Sequence, residues 1–397
     1  MWMLGCATPP DGAHGADASC PDASVRPLPR APVVCPACDE NARCIGGICA
    51  CNTGYAGDGE VCSAVPRGIP RETVLDGDLI TVSADGNVVA ITDIDHAGHA
   101  SIRVMRRGAT GAWADPEFVR LVTDGDIAFD HPTRVALSST GDVLVIGAPV
   151  FPQYGDRSEC GASQGRVFIH EWRGTRYEPT AVMRDSLTFG WIVEISDEGN
   201  TVVVGDSDGL VRAFERTGTE WEMQWMLRDS RAANLQLSAD GDVLVISAYT
   251  EGDSVFTRNG DTWVEERFDN EGGLNIAISP DGNRLAVSTD YVAVYARTAT
   301  GWQPESTTRV PSEAGGGDLV WSTDGQRLIV SARGGGLIFS LVWNGMVWIE
   351  QERFGLERAW SFLGNRLALS ADGNTLAATN ATLSEPSHVH LFEWSPR

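Results

Sequence analysis

The 397-residue sequence has no apolar run that approaches the ~18 residues a membrane-spanning helix needs. Basic residues are also scarce: 30 Lys and Arg stand against 54 Asp and Glu, a formal net charge of -24. This balance disfavours nucleic acid and anionic membrane surfaces as partners, and it favours solubility or cationic ligands. There is no long helical pattern of apolar residues either, which disfavours a helical fold.

Cysteine is almost missing from most of the chain. Of the nine cysteines, only Cys160 lies beyond residue 62, whereas six crowd into residues 35–62: Cys35, Cys38, Cys44, Cys49, Cys51 and Cys62. Such density is typical of a small disulfide-stabilised module in an oxidising compartment. Zinc is less favoured, because zinc sites use two separated pairs. Cys20 and Cys160 are left over, either as two reduced thiols or as a bond between the N-terminal segment and the second repeat.

The spacing of residues 35–62 resembles that of an EGF-like domain. The resemblance lies in Asn41-Ala42 before the third cysteine, the Cys49-Ala-Cys51 pair and the Gly54-Tyr55 turn before the sixth. The family pairing implies disulfides Cys35 to Cys44, Cys38 to Cys49 and Cys51 to Cys62. Calcium is not carried over from the family, because no Asp-x-Asp/Asn-Glu precedes the first cysteine and Ile48 replaces an aromatic residue.

Residues 1–34 are predicted to be a signal remnant followed by a disordered tether. Met3-Leu4-Gly5-Cys6, ahead of a Pro/Ala/Asp-rich tract, resembles the end of a bacterial lipoprotein signal, which implies lipidation of Cys6. An ordinary N-terminal cysteine is the alternative. Either reading predicts an exported protein, at the outer membrane or cell surface as a lipoprotein, or secreted, with a lipid anchor as its only membrane contact.

A turn motif, Ser-x-x-Gly, recurs seven times between short apolar runs. The turns begin at Ser83, Ser138, Ser196, Ser238, Ser279, Ser322 and Ser370, spaced 55, 58, 42, 41, 43 and 48 residues apart. Pro280 suits the second position of a type I turn, and the following glycine suits a left-handed residue of a three-residue hairpin loop. Residues 189–227 show a whole unit of four strands, which is one propeller blade.

The sequence therefore predicts an all-β protein whose residues 66–397 form a seven-bladed β-propeller. In the first six units an aromatic residue at or near the start of the fourth strand should cover the junction between blades: Trp113, Tyr177, Trp221, Trp263, Trp302 and Trp348. The last unit has only three strands. Ile69–Leu75 is predicted to supply the fourth and so to close the ring from the N-terminal side.

Residues 135–172, VALSSTGDVLVIGAP followed by GRVFIHEW, resemble bacterial FG-GAP repeats, and AISPDGNRLAV at 277–287 is equally similar to WD repeats. Both families imply propellers that bind proteins or glycans. Some FG-GAP units bind calcium through Asp-x-Asp-x-Asp-Gly loops. In this chain Asp206-Ser-Asp208-Gly209 and Asp124-Gly-Asp126 approach that pattern but lack its third carboxylate, so they are interpreted as turn residues.

The longest connections between second and third strands are 93–100, 149–164 and 380–387, in units that ring closure makes neighbours. We predict a ligand-binding patch there, with His96, His99, Phe151 and Tyr154 exposed. The alternative is that these are unselected insertions. His96, His99 and His131, with Asp93, Asp95 and Asp130, also allow a metal site, although polar loops are the simpler reading.

No catalytic motif is found: the sequence has no G-x-S-x-G elbow, phosphate loop, dinucleotide fingerprint or H-E-x-x-H. The innermost strands present a mixed set to the channel, including Arg134, Glu194, Gln236 and Asn275, without an evident carboxylate pair. We therefore predict a monomeric, non-catalytic adhesion or interaction module without cofactor or metal, whose ligand is an unknown protein or glycan. A propeller enzyme acting on carbohydrate, or a metal-binding propeller, is the alternative.

Overall fold

The computed structural model describes the chain in separate stretches. They are 42–45, 48–51, 55–57 and 62–64, for the backbone alone, and then 71–77, 79–94, 100–121, 134–150, 164–228, 232–248, 253–260, 262–267, 275–289, 291–308, 317–332, 336–344, 346–355, 363–380 and 387–394. All seven Ser-x-x-Gly turns fall within these stretches.

Four short strands precede the propeller. β1 (Ala42–Ile45) pairs antiparallel with β2 (Ile48–Cys51), and β3 (Tyr55–Gly57) pairs with β4 (Cys62–Ala64). In the first ladder Cys44 lies opposite Cys49. The side chains of the six predicted disulfide cysteines, like Cys6, Cys20 and Cys160, lie outside the described residues.

The next strand, β5 (Arg71–Asp76), belongs to the last blade of the ring. The following strands fall into four-stranded antiparallel sheets in chain order. Blade 1 contains β6 (Ile80–Val82), β7 (Val88–Ile94), β8 (Ala100–Arg106) and β9 (Glu117–Arg120). Blade 2 contains β10 (Arg134–Leu137), β11 (Val143–Ala148), β12 (Arg166–Trp172) and β13 (Tyr177–Arg184). Blade 3 contains β14 (Ile192–Ile195), β15 (Thr201–Gly205), β16 (Leu210–Thr217) and β17 (Glu220–Arg228).

The remaining blades repeat this order. Blade 4 contains β18 (Ala232–Leu237), β19 (Val243–Ala248), β20 (Ser254–Asn259) and β21 (Thr262–Arg267). Blade 5 contains β22 (Asn275–Ile278), β23 (Arg284–Ser288), β24 (Val292–Thr298) and β25 (Gly301–Thr308). Blade 6 contains β26 (Leu319–Trp321), β27 (Arg327–Ala332), β28 (Leu337–Trp343) and β29 (Trp348–Gly355). Blade 7 contains β30 (Leu363–Leu369), β31 (Thr375–Asn380) and β32 (His388–Glu393), with β5 outermost.

The seven sheets confirm the predicted propeller. In blade 7, β5 runs antiparallel to β32 with Arg71 opposite Glu393 and Asp76 opposite His388. His390 lies next to Glu72 across this strand pair, with Nδ1 and Oε1 2.6 Å apart.

The hydrophobic core is divided among the junctions between neighbouring blades. The second strands of the blades bury Val, Leu and Ile on both faces, as β11 and β15 do throughout their length, because each sheet is packed between two others. The aromatic residues predicted at these junctions are found there. Trp302 packs with Val245 of the preceding blade, and Trp348 packs with Val294 in the same way, so this prediction is confirmed.

The seven Ser-x-x-Gly turns share one hydrogen-bond arrangement. Each serine oxygen, which is buried, accepts a bond from the amide five residues later; Val88 N to Ser83 Oγ measures 2.9 Å. Each glycine amide bonds the serine carbonyl, as in a type I turn. Ser83 is opposite Val88, so the connection has four residues rather than the predicted three, because the serine side chain replaces its carbonyl as acceptor.

These turns are joined to one another around the ring, on what we call the turn face. Ser139 N bonds Asp197 O at 2.9 Å, Asp197 N bonds Ala239 O at 2.8 Å and Ala239 N bonds Pro280 O at 3.1 Å. The series stops at Pro280, which has no amide proton to pass on. Blade 6 instead reaches blade 5 through a side chain, since Trp321 Nε1 donates to Ala277 O at 3.0 Å.

Candidate functional site

The central channel is lined by the innermost strand of every blade. Its lining includes the residue two positions before each turn serine and, in blades 1, 2, 6 and 7, the residue four positions before it, so that the lining has two layers. Most of the inner layer is small or apolar, but Glu194 and Gln236 belong to it. The outer layer, near the face opposite the turns, includes Arg134, Asp318 and Arg366. We call that opposite face the loop face. The cavity has a volume of about 270 Å³.

Glu194 and Asp318 converge on this cavity together with two arginines. Burial raises the pKa of Glu194 to about 7, despite the opposing charges of Arg134 and Arg366, and Asp318 raises it further. Burial, and then the charge of Arg366, lowers the pKa of Arg134 to about 10. The sequence did not reveal this carboxylate pair. Counting back from each turn serine gives the signal, since Arg134, Asp318 and Arg366 all precede their serine by four residues.

Two of the four charged groups are held by hydrogen bonds to residues of other blades. Arg134 Nη2, in blade 2, donates to Asn234 Oδ1 of blade 4 at 3.2 Å, so this guanidinium reaches past blade 3. Asp318 Oδ2 accepts a bond from Leu367 N at 2.8 Å, next to Arg366. Among the described residues, no hydrogen bond or ion pair involves the carboxylate of Glu194 or the guanidinium of Arg366. These two groups therefore keep their full capacity to bind a ligand.

A second groove, on the turn face between blades 3 and 4, has a different character. Its volume is about 430 Å³ and its charged lining includes Glu198, Arg216 and Arg258. Here the arginines are paired: Arg216 Nη2 lies 2.6 Å from Glu171 Oε1, and Arg258 forms an ion pair with Glu215. Both pairs join adjacent blades, so their role is to hold the ring together.

The predicted loop patch cannot be placed residue by residue. His96, His99, Phe151 and Tyr154 lie outside the described residues, as does His131. The strand ends that carry the three long connections are described, and they lie on the loop face, because the strands alternate in direction. One neighbour is fixed: Val150 N donates to Leu187 O at 2.7 Å, which ties the start of the blade 2 connection to blade 3.

The incomplete calcium-like loop of blade 3 is a turn, as the sequence suggests. Asp206 is 2 % exposed, and its Oδ1 accepts bonds from Asp208 N at 3.0 Å and Leu210 N at 2.8 Å. Its Oδ2 accepts a bond from Ser186 Oγ and lies 3.5 Å from Arg212. The carboxylate is thus fully used by the protein. Asp124 and Asp126 lie outside the described stretches.

Within the described stretches of the chain, no group of three or more His, Cys, Asp or Glu side chains is arranged to hold a metal ion. Nor does that part of the chain contain a helix of the length and apolarity required to cross a membrane.

Comparison with known proteins shows the fold and nothing finer. No family model and no curated protein matches the chain. Among solved structures 1453 chains match, so the fold is shared too widely to indicate a function. One is a chain of the crystal structure of the mitotic checkpoint complex, with a TM-score of 0.59 and 15% identity, covering 84% of this chain and 98% of that one. The class is therefore a seven-bladed β-propeller.

Proposed function

We propose that this chain is an exported interaction module that binds a protein or glycan through the loop face of its propeller. The observation that carries the proposal is the difference between the two faces. The turn face repeats one short, internally satisfied hairpin seven times, whereas the strand ends that carry the long connections of the adjacent blades 7, 1 and 2 lie on the loop face. Ligand sites concentrate on variable loops held by a rigid scaffold.

The test is a binding screen of the full chain against glycans and surface proteins, followed by a loop exchange. Replacing residues 149–164 with a short turn should abolish binding to the ligand identified. The matched control replaces Gly218-Thr219, the two-residue loop of a hairpin on the turn face, with Asn-Gly and should leave binding unchanged. Full binding by the loop-exchanged protein would contradict the proposal.

Export, the EGF-like module and the lipid anchor are also proposed. They are supported by the cysteine pattern of residues 35–62 and by Cys6 within a lipoprotein-like tract. Peptide mapping without reduction should recover the three pairs Cys35 to Cys44, Cys38 to Cys49 and Cys51 to Cys62. A Cys6→Ser variant, expressed behind an export signal, should move from the membrane to the soluble fraction. Free thiols at residues 35–62 would contradict the module.

We further propose that β5 keeps the ring closed in solution. The pairing of Arg71–Asp76 with His388–Glu393 supports it. Deleting residues 1–76 removes the strand, whereas deleting residues 1–70 leaves it, so the two truncations form a matched pair. The longer deletion should abolish cooperative unfolding or reduce the free energy of unfolding by several kcal/mol, because it removes the backbone hydrogen bonds and the packing of one whole strand. Equal stability of the two truncations would contradict the closure.

A second candidate function, a propeller enzyme acting on carbohydrate, is favoured by one observation: Glu194 and Asp318 converge in the channel. A carboxyl group with a pKa of about 7 is suited to donate and accept protons near neutral pH. The test is hydrolysis of a panel of aryl glycosides by the wild-type chain and by Glu194→Gln. Hydrolysis that the substitution removes would support the enzyme, and the absence of hydrolysis across the panel would count against it.

A further inference from the structure

We propose that the central channel binds a small hydroxylated carboxylate about the size of one hexuronic acid, whose carboxylate is held by Arg134 and Arg366. This site is distinct from the loop patch and does not depend on it. Under the second candidate function, it would define the class of substrate.

The first step in the argument is the presence of two guanidinium groups around one cavity. Arg134 comes from blade 2 and Arg366 from blade 7, and they flank blade 1, whose Leu79 and Thr81 line the same space without charge. Arginine is the side chain best suited to a carboxylate, because its planar fork can donate two parallel hydrogen bonds. Arg134 is already oriented by Asn234. The guanidinium of Arg366 has no hydrogen bond or ion pair among the described residues, so its donors are available to a ligand.

The second step is the chemistry and size of the rest of the lining. Glu194, Gln236 and Asp318 face the same cavity and offer hydrogen-bond acceptors and donors for hydroxyl groups. A volume of about 270 Å³ is at the small end of ligand pockets, which are typically ~300 to 1,000 Å³. One sugar ring is therefore a better match than a chain or a large cofactor.

The third step is the charge balance. The ionisable groups that line the channel are Arg134 from blade 2, Glu194 and Asp197 from blade 3, Asp318 from blade 6 and Arg366 from blade 7. Asp197 lies at the turn face, next to Asp240, and its pKa is raised by burial and by that neighbour. When Glu194 is protonated, the part of the channel near the loop face holds two positive charges, on Arg134 and Arg366, and one negative charge, on Asp318. A bound anion would neutralise the remaining positive charge. Ionisation of Glu194 should therefore weaken binding.

The experiment is calorimetric titration of the full chain with sodium glucuronate at pH 6, with glucose and acetate as comparison probes. Glucose lacks the carboxylate and acetate lacks the hydroxyl groups. We expect glucuronate to bind more tightly than either. Equal affinity for glucuronate and glucose would overturn the role of the arginines in binding the carboxylate. Equal affinity for glucuronate and acetate would overturn the recognition of the hydroxyl groups. Absence of glucuronate binding would overturn the site.

Single substitutions test whether Arg366 and Arg134 hold the carboxylate of glucuronate. Arg366→Gln should weaken glucuronate binding about tenfold or more, the range for a lost hydrogen bond to a charged group. The control is Arg353→Gln on the outer strand of blade 6, where the guanidinium is paired with Glu350, and it should not change affinity. Arg134→Gln should act as Arg366→Gln does, and thermal unfolding of each variant establishes that it is folded. A folded Arg366→Gln variant with wild-type affinity would overturn the proposal.

The pH dependence gives an independent readout. The affinity for glucuronate should fall between pH 6 and pH 8. If only the form with protonated Glu194 binds, the affinity falls by about tenfold for each pH unit above the pKa of Glu194. The Glu194→Gln variant should bind at both pH values with similar affinity. The chain with the shortened 149–164 connection should still bind glucuronate, so loss of the loop-face partner and loss of this site are distinguishable. A pH-independent wild type would contradict the role of Glu194.

Discussion

The turn face and the central channel are built from the same seven hairpins, yet they use polar side chains in opposite ways. On the turn face every turn serine accepts a hydrogen bond from the amide five residues later, and the arginines of the groove between blades 3 and 4 form ion pairs with glutamates. In the channel the positions two and four residues before the serines differ from blade to blade, and the carboxylate of Glu194 and the guanidinium of Arg366 have no hydrogen bond or ion pair among the described residues. Positions that serve the fold are repeated in every blade, whereas positions that vary are available for a ligand.

The largest expected effect tests how tightly the turn face is packed. Gly141 has φ of 66°, and a Cβ atom there would lie 2.5 Å from Val88 Cγ2, in a fully buried side chain. Gly141→Ala should therefore lower the free energy of unfolding by about 2 to 4 kcal/mol, from overpacking added to left-handed strain. Gly325 has φ of 63° but no atom within 4 Å of such a Cβ, so Gly325→Ala should cost only about 1 kcal/mol. Urea unfolding measures both, and equal losses would contradict the packing argument.

The next effect tests the repeated serine. Ser238→Ala removes the acceptor of Val243 N and the hydroxyl that donates to Asp240 Oδ1 at 2.5 Å. Because the amide is buried, we expect a loss of about 1 to 3 kcal/mol in the free energy of unfolding. Asp240→Asn retains the serine contact with the amide and should cost less. Urea unfolding of the two variants compares them, and a smaller loss for Ser238→Ala would be the contrary result.

A third prediction concerns the channel, where the effect should depend on pH. The pKa of Glu194 is raised to about 7 in the folded chain from an ordinary value of 4.5, so the folded state retains a proton that the unfolded state loses. This contribution to stability is present below pH 4.5 and is lost as pH rises through about 7. Glu194→Gln should thus be more stable than wild type at pH 8.5 by about 1 to 3 kcal/mol, and similar to it at pH 4.5. Denaturant unfolding at both pH values measures the difference, and no change with pH would refute the linkage.

The smallest effect is expected at an exposed position of the turn face. Burial alone would raise the pKa of Asp281, but hydrogen bonds from Ser279 and Asn283 outweigh it and lower the pKa. Asn283→Ala removes one of these bonds, in an exposed pair. We expect a change within about 0.5 kcal/mol in the free energy of unfolding. A loss as large as that for Ser238→Ala would mean that the exposed part of the turn matters as much as its buried serine.

The sequence was sufficient to predict the features that repeat. Ser279-Pro-Asp-Gly shows the turn type directly, because only certain residues adopt its dihedral angles, and Trp302 and Trp348 recur at one position of the unit. The channel was harder, because Glu194 and Asp318 are far apart in the chain and meet only when the ring closes. Arg134, Glu194, Gln236 and Asn275 were assigned to the channel, and the first three line it, whereas Asn275 is not among the described residues of its lining. The pKa values of Arg134 and Glu194 depend on burial, which the sequence does not show. His96, His99, Phe151 and Tyr154 remain predictions.

Blade 6 is joined to blade 5 on the turn face without the backbone hydrogen bond that links blades 2 to 5, so the ring should open more easily there. Pro280 cannot donate across the turn face to blade 6, and no atom approaches within 4 Å of a Cβ placed at Gly325. Side chains make the contacts at both borders of blade 6: Trp321 Nε1 donates to Ala277 O of blade 5, and Phe354 lies 5.2 Å from Phe392 of blade 7 between ring centroids. Such contacts tolerate sliding better than a backbone bond does. Amide hydrogens at Thr323 should exchange faster than those at Asp197, and a circular permutation that opens the chain beside blade 6 should be the one the molecule accepts most readily.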